Sequence, residues 1–228
     1  MTGIQEKKEL TAVTVKEEEK KAERKEHKED RHLIEWNVDL CKRLLRQILA
    51  HRMAEGHDTQ QGMLNLARTL KEGSTVRDEI TRIVQFPLFD KKASQLKVDP
   101  ETVELSKAIQ DQLRDYISFI ATMYRDNAFH TFKHASNVAM HTNKYLQRIN
   151  NEILEMQVAH PLTRFAIIFS SLIHDVDHTR VTNAQLVKEG QRTAVVYNNK
   201  SVADQNSTDL AWSVLMDSKY KDLQAAIY

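Results

Sequence analysis

The 228-residue chain is poor in the residues that interrupt regular backbone, with five Gly and three Pro. That scarcity excludes a fold built from many tight turns, and the abundance of Leu, Ala, Lys, Glu, Gln and Arg favours helix nearly everywhere. An all-α protein is expected. A single cysteine, Cys41, excludes an intramolecular disulfide framework and fits a reducing compartment. A surplus of either charge is missing too. Against 33 basic residues stand 32 acidic ones, for a net charge of +1, so no global field draws in nucleic acid or an anionic membrane, and phosphate binding must be local. No window approaches the roughly 20 consecutive apolar residues that a bilayer span needs, and the start "MTGIQEKKEL" has no apolar signal core. The chain reads as one cytoplasmic domain with N-terminal extensions, free or as the soluble part of a larger membrane-bound signalling protein.

Residues 5–32 are a mixed-sign charge run with little apolar surface to bury, expected as a solvated helix or disordered tail. In "LIEWNVDLCKRLLRQILAHRM", Leu33, Trp36, Leu40, Leu44 or Leu45, Ile48 and Met53 recur at helical spacing. That stripe suits a dimerising coiled coil or packing on the chain's own domain. Gly56, Gly62 and Gly73 mark a looser region before the amphipathic "TVRDEITRIVQF", which Pro87 ends, and a polar connector follows. At "DPETVELSKAIQDQLRDYISFIATMY" the start signals align, with Asp99 as N-cap and Pro100 at the first helical position. A helix predicted from there carries Val103, Ile109, Leu113, Tyr116, Ile117, Ile120 and Tyr124 on one face. Another helix is expected from about His134 to Ile149. Pro161 then opens "PLTRFAIIFSSLIHDVDH", apolar on nearly all sides and so central in the fold. "SVADQNSTDLAWSVLMDS" begins with a capping box, Ser201 with Asp204. The expected division is a charged tail over 1–32, a helical linker or dimerisation segment over 33–98, and the main domain over 99–228.

Chemistry concentrates in two segments. "FHTFKHASNVAMH" carries His130, His134 and His141; "IHDVDH" carries His174, Asp175, Asp177 and His178. On a helix, positions i and i+4 share a face, so His130 with His134, and His174 with His178, can each point into one cavity. Imidazole nitrogens together with carboxylate oxygens suit Zn²⁺, Mg²⁺ or Mn²⁺. One such His pair is common by chance. Four ligand-type residues in five positions at the end of an apolar helix are not, because isolated buried charge is strongly disfavoured and a cation relieves it. His141 reads as a supporting or surface residue.

These segments carry a resemblance. "HDVDHTRVTN" is similar to the metal signature of class I 3′,5′-cyclic-nucleotide phosphodiesterases, within the wider HD-type metal hydrolases. "FHTFKHASNV" resembles the same family's upstream His motif, and "YNNKSVADQNSTDLAW" its Tyr, Ser-Val and acidic positions. The resemblance covers roughly residues 100–228. More weakly, "WNVDLCKRLLRQI" and "QFPLFD" resemble segments ahead of the domain in algal and protist cyclase-phosphodiesterase fusions.

The resemblance implies a compact helical bundle that hydrolyses cyclic AMP, cyclic GMP or both to 5′-monophosphates with two divalent ions, of Zn²⁺ and Mg²⁺ (or Mn²⁺) type. It makes His134, His174 and Asp175 metal ligands, Asp175 reaching both ions, and His130 the general acid for the leaving 3′ oxygen. His178 would line the site and orient water, with Asn183 and Asp204 as supporting polar residues. Thr131 stands where the family has Asn, Thr179 and Arg180 where it has Pro and Gly, and Asp204 where it has Glu. The family's fourth protein ligand and its purine clamp fall beyond Tyr228, so the N-terminal part of the domain is what the resemblance implies. Two other readings stay open: an inactive phosphodiesterase-like module acting in dimerisation or regulation, and an HD-type hydrolase of another nucleotide phosphate. A homodimer through residues 33–53 is the partner expected besides the cyclic nucleotide.

Overall fold

The computed structural model describes residues 30–54, 98–152 and 160–228. The charged run up to residue 29, the amphipathic piece before Pro87 and the connector up to residue 97 lie outside the described residues. Within them the regular elements are helices: α1 (30–54), α2 (Lys107–Thr122), α3 (Phe132–Glu152), α4 (Pro161–Ile173), α5 (Asn183–Lys188), α6 (Arg192–Val196), α7 (Val202–Leu215) and α8 (Lys221–Ile227). The all-α expectation holds, and no strand occurs among the described residues.

One core joins α1–α4, α7 and α8, and a smaller one gathers Leu186, Ala194, Tyr197 and Val202 around α5 and α6. From α2 come Leu113, Tyr116, Ile117 and Ile120, spaced i, i+3, i+4, i+7, and from α4 Phe165, Ile168 and Leu172. The α1 stripe joins them through Val38, Cys41, Leu44, Leu45 and Ile48, so it is spent on the chain's own core. Met53 at its end points outward, 64% exposed. Burial pushes the Cys41 thiol up to about 12, which keeps it protonated and unreactive. Two polar stitches fix α1. The Asn37 amide donates to Leu33 O and, at 2.9 Å, to Ser136 Oγ on α3. The Arg52 guanidinium donates to Ala225 O and Ile227 O, supplying partners to carbonyls at the end of α8.

Two helix starts differ from expectation. Asp99 and Pro100 open only a 3₁₀ turn, Pro100–Thr102, and α2 begins later with Ser106 as its N-cap, its Oγ accepting from Ile109 N–H. The reason is burial: the extended backbone between them sends both Val103 and Leu105, two residues apart, into the interior. The Ser201 capping box does not form either. Ser201 has φ +41° and makes no side-chain cap bond. Instead Asn183 Oδ1 accepts from Ala203 N–H at 2.8 Å, capping α7 from another helix. Asn183→Ala is therefore expected to cost about 1 kcal/mol in urea denaturation, the usual worth of an N-cap, while Ser201→Ala costs much less.

Candidate metal centre

The α4 helix ends at Ile173, and the chain leaves it through His174, Asp175, Val176 and Asp177. Asp177 has φ +60° and Arg180 φ +67°, both left-handed, so the strand of residues after α4 doubles back on itself. Ser207 Oγ donates to Val176 O at 2.7 Å and Tyr124 Oη to Leu172 O at 2.7 Å, pinning this exit to the rest of the core. The opposing segment runs from Met123 to Thr131. Its hub is the buried Asn127, whose Oδ1 accepts from Phe129 N–H and His130 N–H and whose Nδ2 donates to His178 O. Thr131 Oγ1 accepts from His134 N–H at 3.0 Å and so caps α3, a use for the Thr at that position.

Asp175 stands at the meeting point, with 7% of its surface exposed. Its Oδ2 lies 2.9 Å from His130 Nδ1, 3.1 Å from His174 Nε2 and 4.0 Å from His134 Nε2. The His174 Nδ1 faces Ser171 O at 2.9 Å; a carbonyl can only accept, so Nδ1 carries the proton and Nε2 is left as the ligand nitrogen. The His130 and His178 rings stack with centroids 3.7 Å apart, while those of His134 and His174 are 5.7 Å apart. Arg180 N–H donates to His178 Nδ1. Burial, and then the neighbouring His130, hold the His178 imidazole below its ordinary value against the pull of Asp175 and Asp204.

The donors fall into two groups that share Asp175: His134, His174 and Asp175, and His130, Asp175 and His178. In each, one ligand atom per residue lies within 4.8 Å of the others. A nearly buried carboxylate among imidazole nitrogens suits divalent cations of the Zn²⁺, Mg²⁺ and Mn²⁺ kind. The i, i+4 premise does not describe how they meet. His130 precedes α3 and His178 follows the left-handed Asp177, so each pairs across the two segments and not along one helix.

The sequence-derived residues divide accordingly. His130, His134, His174, Asp175 and His178 converge. Asn183 Nδ2 reaches Asp204 Oδ2 at 3.3 Å, beside the cluster. His141 lies apart and exposed, its Nδ1 donating to Asn137 O. Asp177 turns to Arg125 Nε, 2.6 Å away, and to Asn206 Nδ2. Asn127 was missed; an Asn three residues before His130, able to close an Asx turn, is the one local trace of it.

Among the described residues the fold is a helical bundle with two Asp175-sharing His groups at the end of α4 that could hold a metal ion. Within it, residues 129–226 match the family described as 3′5′-cyclic nucleotide phosphodiesterase. Over that stretch, which is less than half of the chain, the sequence thus resembles part of a class I cyclic-nucleotide phosphodiesterase catalytic domain. It is 34% identical over 111 residues to the probable 3′,5′-cyclic-AMP phosphodiesterase pde-4 of Caenorhabditis elegans, covering 48% of this chain and 16% of that protein. To the cGMP-specific 3′,5′-cGMP phosphodiesterase 3 of Dictyostelium discoideum it is 29% identical over 113 residues, 50% of this chain and 23% of that protein. To the 3′,5′-cyclic-AMP phosphodiesterase, isoform F, of Drosophila melanogaster it is 32% identical over 118 residues, 50% and 17% respectively. The chain therefore spans less than a quarter of the length of these relatives.

Proposed function

We propose that the cluster serves the metal-dependent hydrolysis of a 3′,5′-cyclic nucleotide to its 5′-monophosphate. The observation that carries this is the ligand group of His134, His174 and Asp175, with His130 and His178 against the same carboxylate, inside the segment that matches the family. His134, His174 and Asp175 would hold the ions, Asp175 belonging to both donor groups. When bound, two divalent ions, of Zn²⁺ and of Mg²⁺ or Mn²⁺ type, neutralise the phosphate oxygens and make water acidic enough to attack near neutral pH. His130 keeps its Nδ1 on the Asp175 carboxylate. That bond orients the ring and leaves Nε2 to hand a proton to the leaving 3′ oxygen. His178, stacked on His130, limits how far that ring can turn. Asn183 and Asp204 support the far wall through their mutual hydrogen bond.

Arg180, at the family's Gly position, has its guanidinium engaged by Asp126 O. That engagement supports an active site over an obstructed one. Because relatives are named for cyclic AMP and for cyclic GMP, both nucleotides belong in the assay. Purified protein with Mg²⁺, Mn²⁺ or Zn²⁺ is expected to release the 5′-monophosphate from at least one, and His174→Ala to abolish the release. Wild-type turnover that survives His174→Ala would sink the reading. The same reading takes residues 99–228 as the catalytic unit, residues 1–32 as a charged tail and the cytoplasm as its place; no described helix is long and apolar enough to cross a membrane. A homodimer through residues 33–53 would have to use what α1 leaves outside, Met53 included.

A further inference from the structure

The segment before His130 and the segment after Asp175 each carry one Arg and one Asp, and each Arg reaches across to the other segment. Arg125 Nε donates to Asp177 Oδ1 at 2.6 Å. Arg180 Nη2 donates to Asp126 O, with the Asp126 carboxylate 3.9 Å away. We propose that these two arginines form a reciprocal clasp and are positioning residues, setting His130 in register with Asp175 and His178.

Three observations carry this. First, the clasp is not a stability device: its side chains are between 33% and 110% exposed, and exposed ion pairs contribute about 0–1 kcal/mol. Second, the residues it grips are held at φ +60° and +67°, a conformation that costs a non-Gly residue roughly 1–2 kcal/mol and persists only where neighbours impose it. Third, the stretch 177–181 borders open space, and its apolar anchor is Val181, packed against the small core of Leu186, Ala194, Tyr197 and Val202. A cavity of about 310 Å³ lies against it, lined by Arg125, Asp177, His178, Val181 and Leu186 among others. With empty space on one side, the position of His178 and its ring contact with His130 rest on the cross-segment bonds. Those are the clasp, Asn127 Nδ2 to His178 O, and Asp177 N–H to Met123 O, with Asn206 Nδ2 of α7 also donating to Asp177 Oδ2. Metal sites tolerate displacements of only about 0.5 Å in their ligands.

The inference rests on the metal-centre reading, so its test has two readouts. Arg125→Ala, Arg180→Ala and Arg125→Lys are each titrated with Co²⁺ and followed by visible absorption. In metal-free protein, the rate of His130 carbethoxylation is followed by mass spectrometry. Each Ala variant is expected to keep its melting temperature within a few degrees, to lose roughly five- to tenfold in Co²⁺ affinity as outer partners of metal ligands do, and to expose His130 to several-fold faster modification. Arg125→Lys should recover part of both. Wild-type affinity and wild-type His130 reactivity in the Ala variants would overturn the clasp, as would losses matched by an equal loss of thermal stability. If the wild-type protein takes up no Co²⁺ at all, the metal reading fails, and the His130 rates alone decide the clasp.

Discussion

Asp175→Asn is expected to empty both halves of the centre at once. Asp175 Oδ2 is the atom on which His130 Nδ1, His174 Nε2 and His134 Nε2 converge, and both donor groups include it. Asn keeps the shape, so the fold should stand. It removes the negative charge that a bound cation would need and weakens the acceptor of the His130 Nδ1 bond. Affinity for Zn²⁺ or Co²⁺ should fall at least about 100-fold, beyond what losing an outer partner costs. Nucleotide hydrolysis should fall with it. Metal content after dialysis, measured by mass spectrometry beside a circular dichroism melt, checks both halves of the claim. An Asp175→Asn protein that retains wild-type metal would remove Asp175 from the centre. His141→Ala, whose ring bonds only within its own helix turn, should leave metal content unchanged.

The largest stability effect is expected at Tyr116. It has no exposed surface. Its ring stacks near Phe169 of α4 at 5.7 Å and meets Tyr220 edge-on at 5.4 Å, and its Oη donates to Ala211 O of α7 at 2.8 Å. One side chain therefore ties α2 to α4, to α7 and to the turn before α8. Tyr116→Ala should cost about 3–5 kcal/mol, the range for emptying a large aromatic site. Tyr116→Phe keeps the ring and loses one buried hydrogen bond to a carbonyl that retains its helical partner, for about 0.5–1.5 kcal/mol. Met53→Ala, at an exposed position, should stay within about 0.5 kcal/mol. Urea denaturation of the three variants orders them; a Tyr116→Ala protein as stable as Met53→Ala would show that Tyr116 is not the tie.

What could be read from the residues follows how local each signal is. The helices and their buried faces were legible because apolar spacing is a property of a few consecutive turns, as with Leu113, Tyr116, Ile117 and Ile120. The five converging His and Asp residues were legible as types, but their pairing was not. Local spacing joined His130 to His134 and His174 to His178, whereas the left-handed backbone at Asp177 turns His178 across to His130. The start of α2 was misjudged because Asp99–Pro100 is a sound start signal that a short 3₁₀ turn satisfies just as well. The α7 cap was misassigned to Ser201 because its true donor of an acceptor atom, Asn183, sits 20 residues away. Between coiled coil and self-packing, the α1 stripe is ambiguous on its face. The residue that settles its use, Asn37, meets a partner 99 positions along the chain.

The stitching of α1 sets a different length for folding than for kinship. The match to the family model runs from residue 129 to 226, yet Asn37 holds Ser136 and Arg52 holds the final carbonyls of α8. A piece trimmed to residues 129–226 would keep every residue of the metal centre and still lose the apolar cover that α1 and α2 lay over its helices. Such a piece should aggregate rather than bind metal, so the ancestry of a site and the part of a chain able to hold that site together are separate questions.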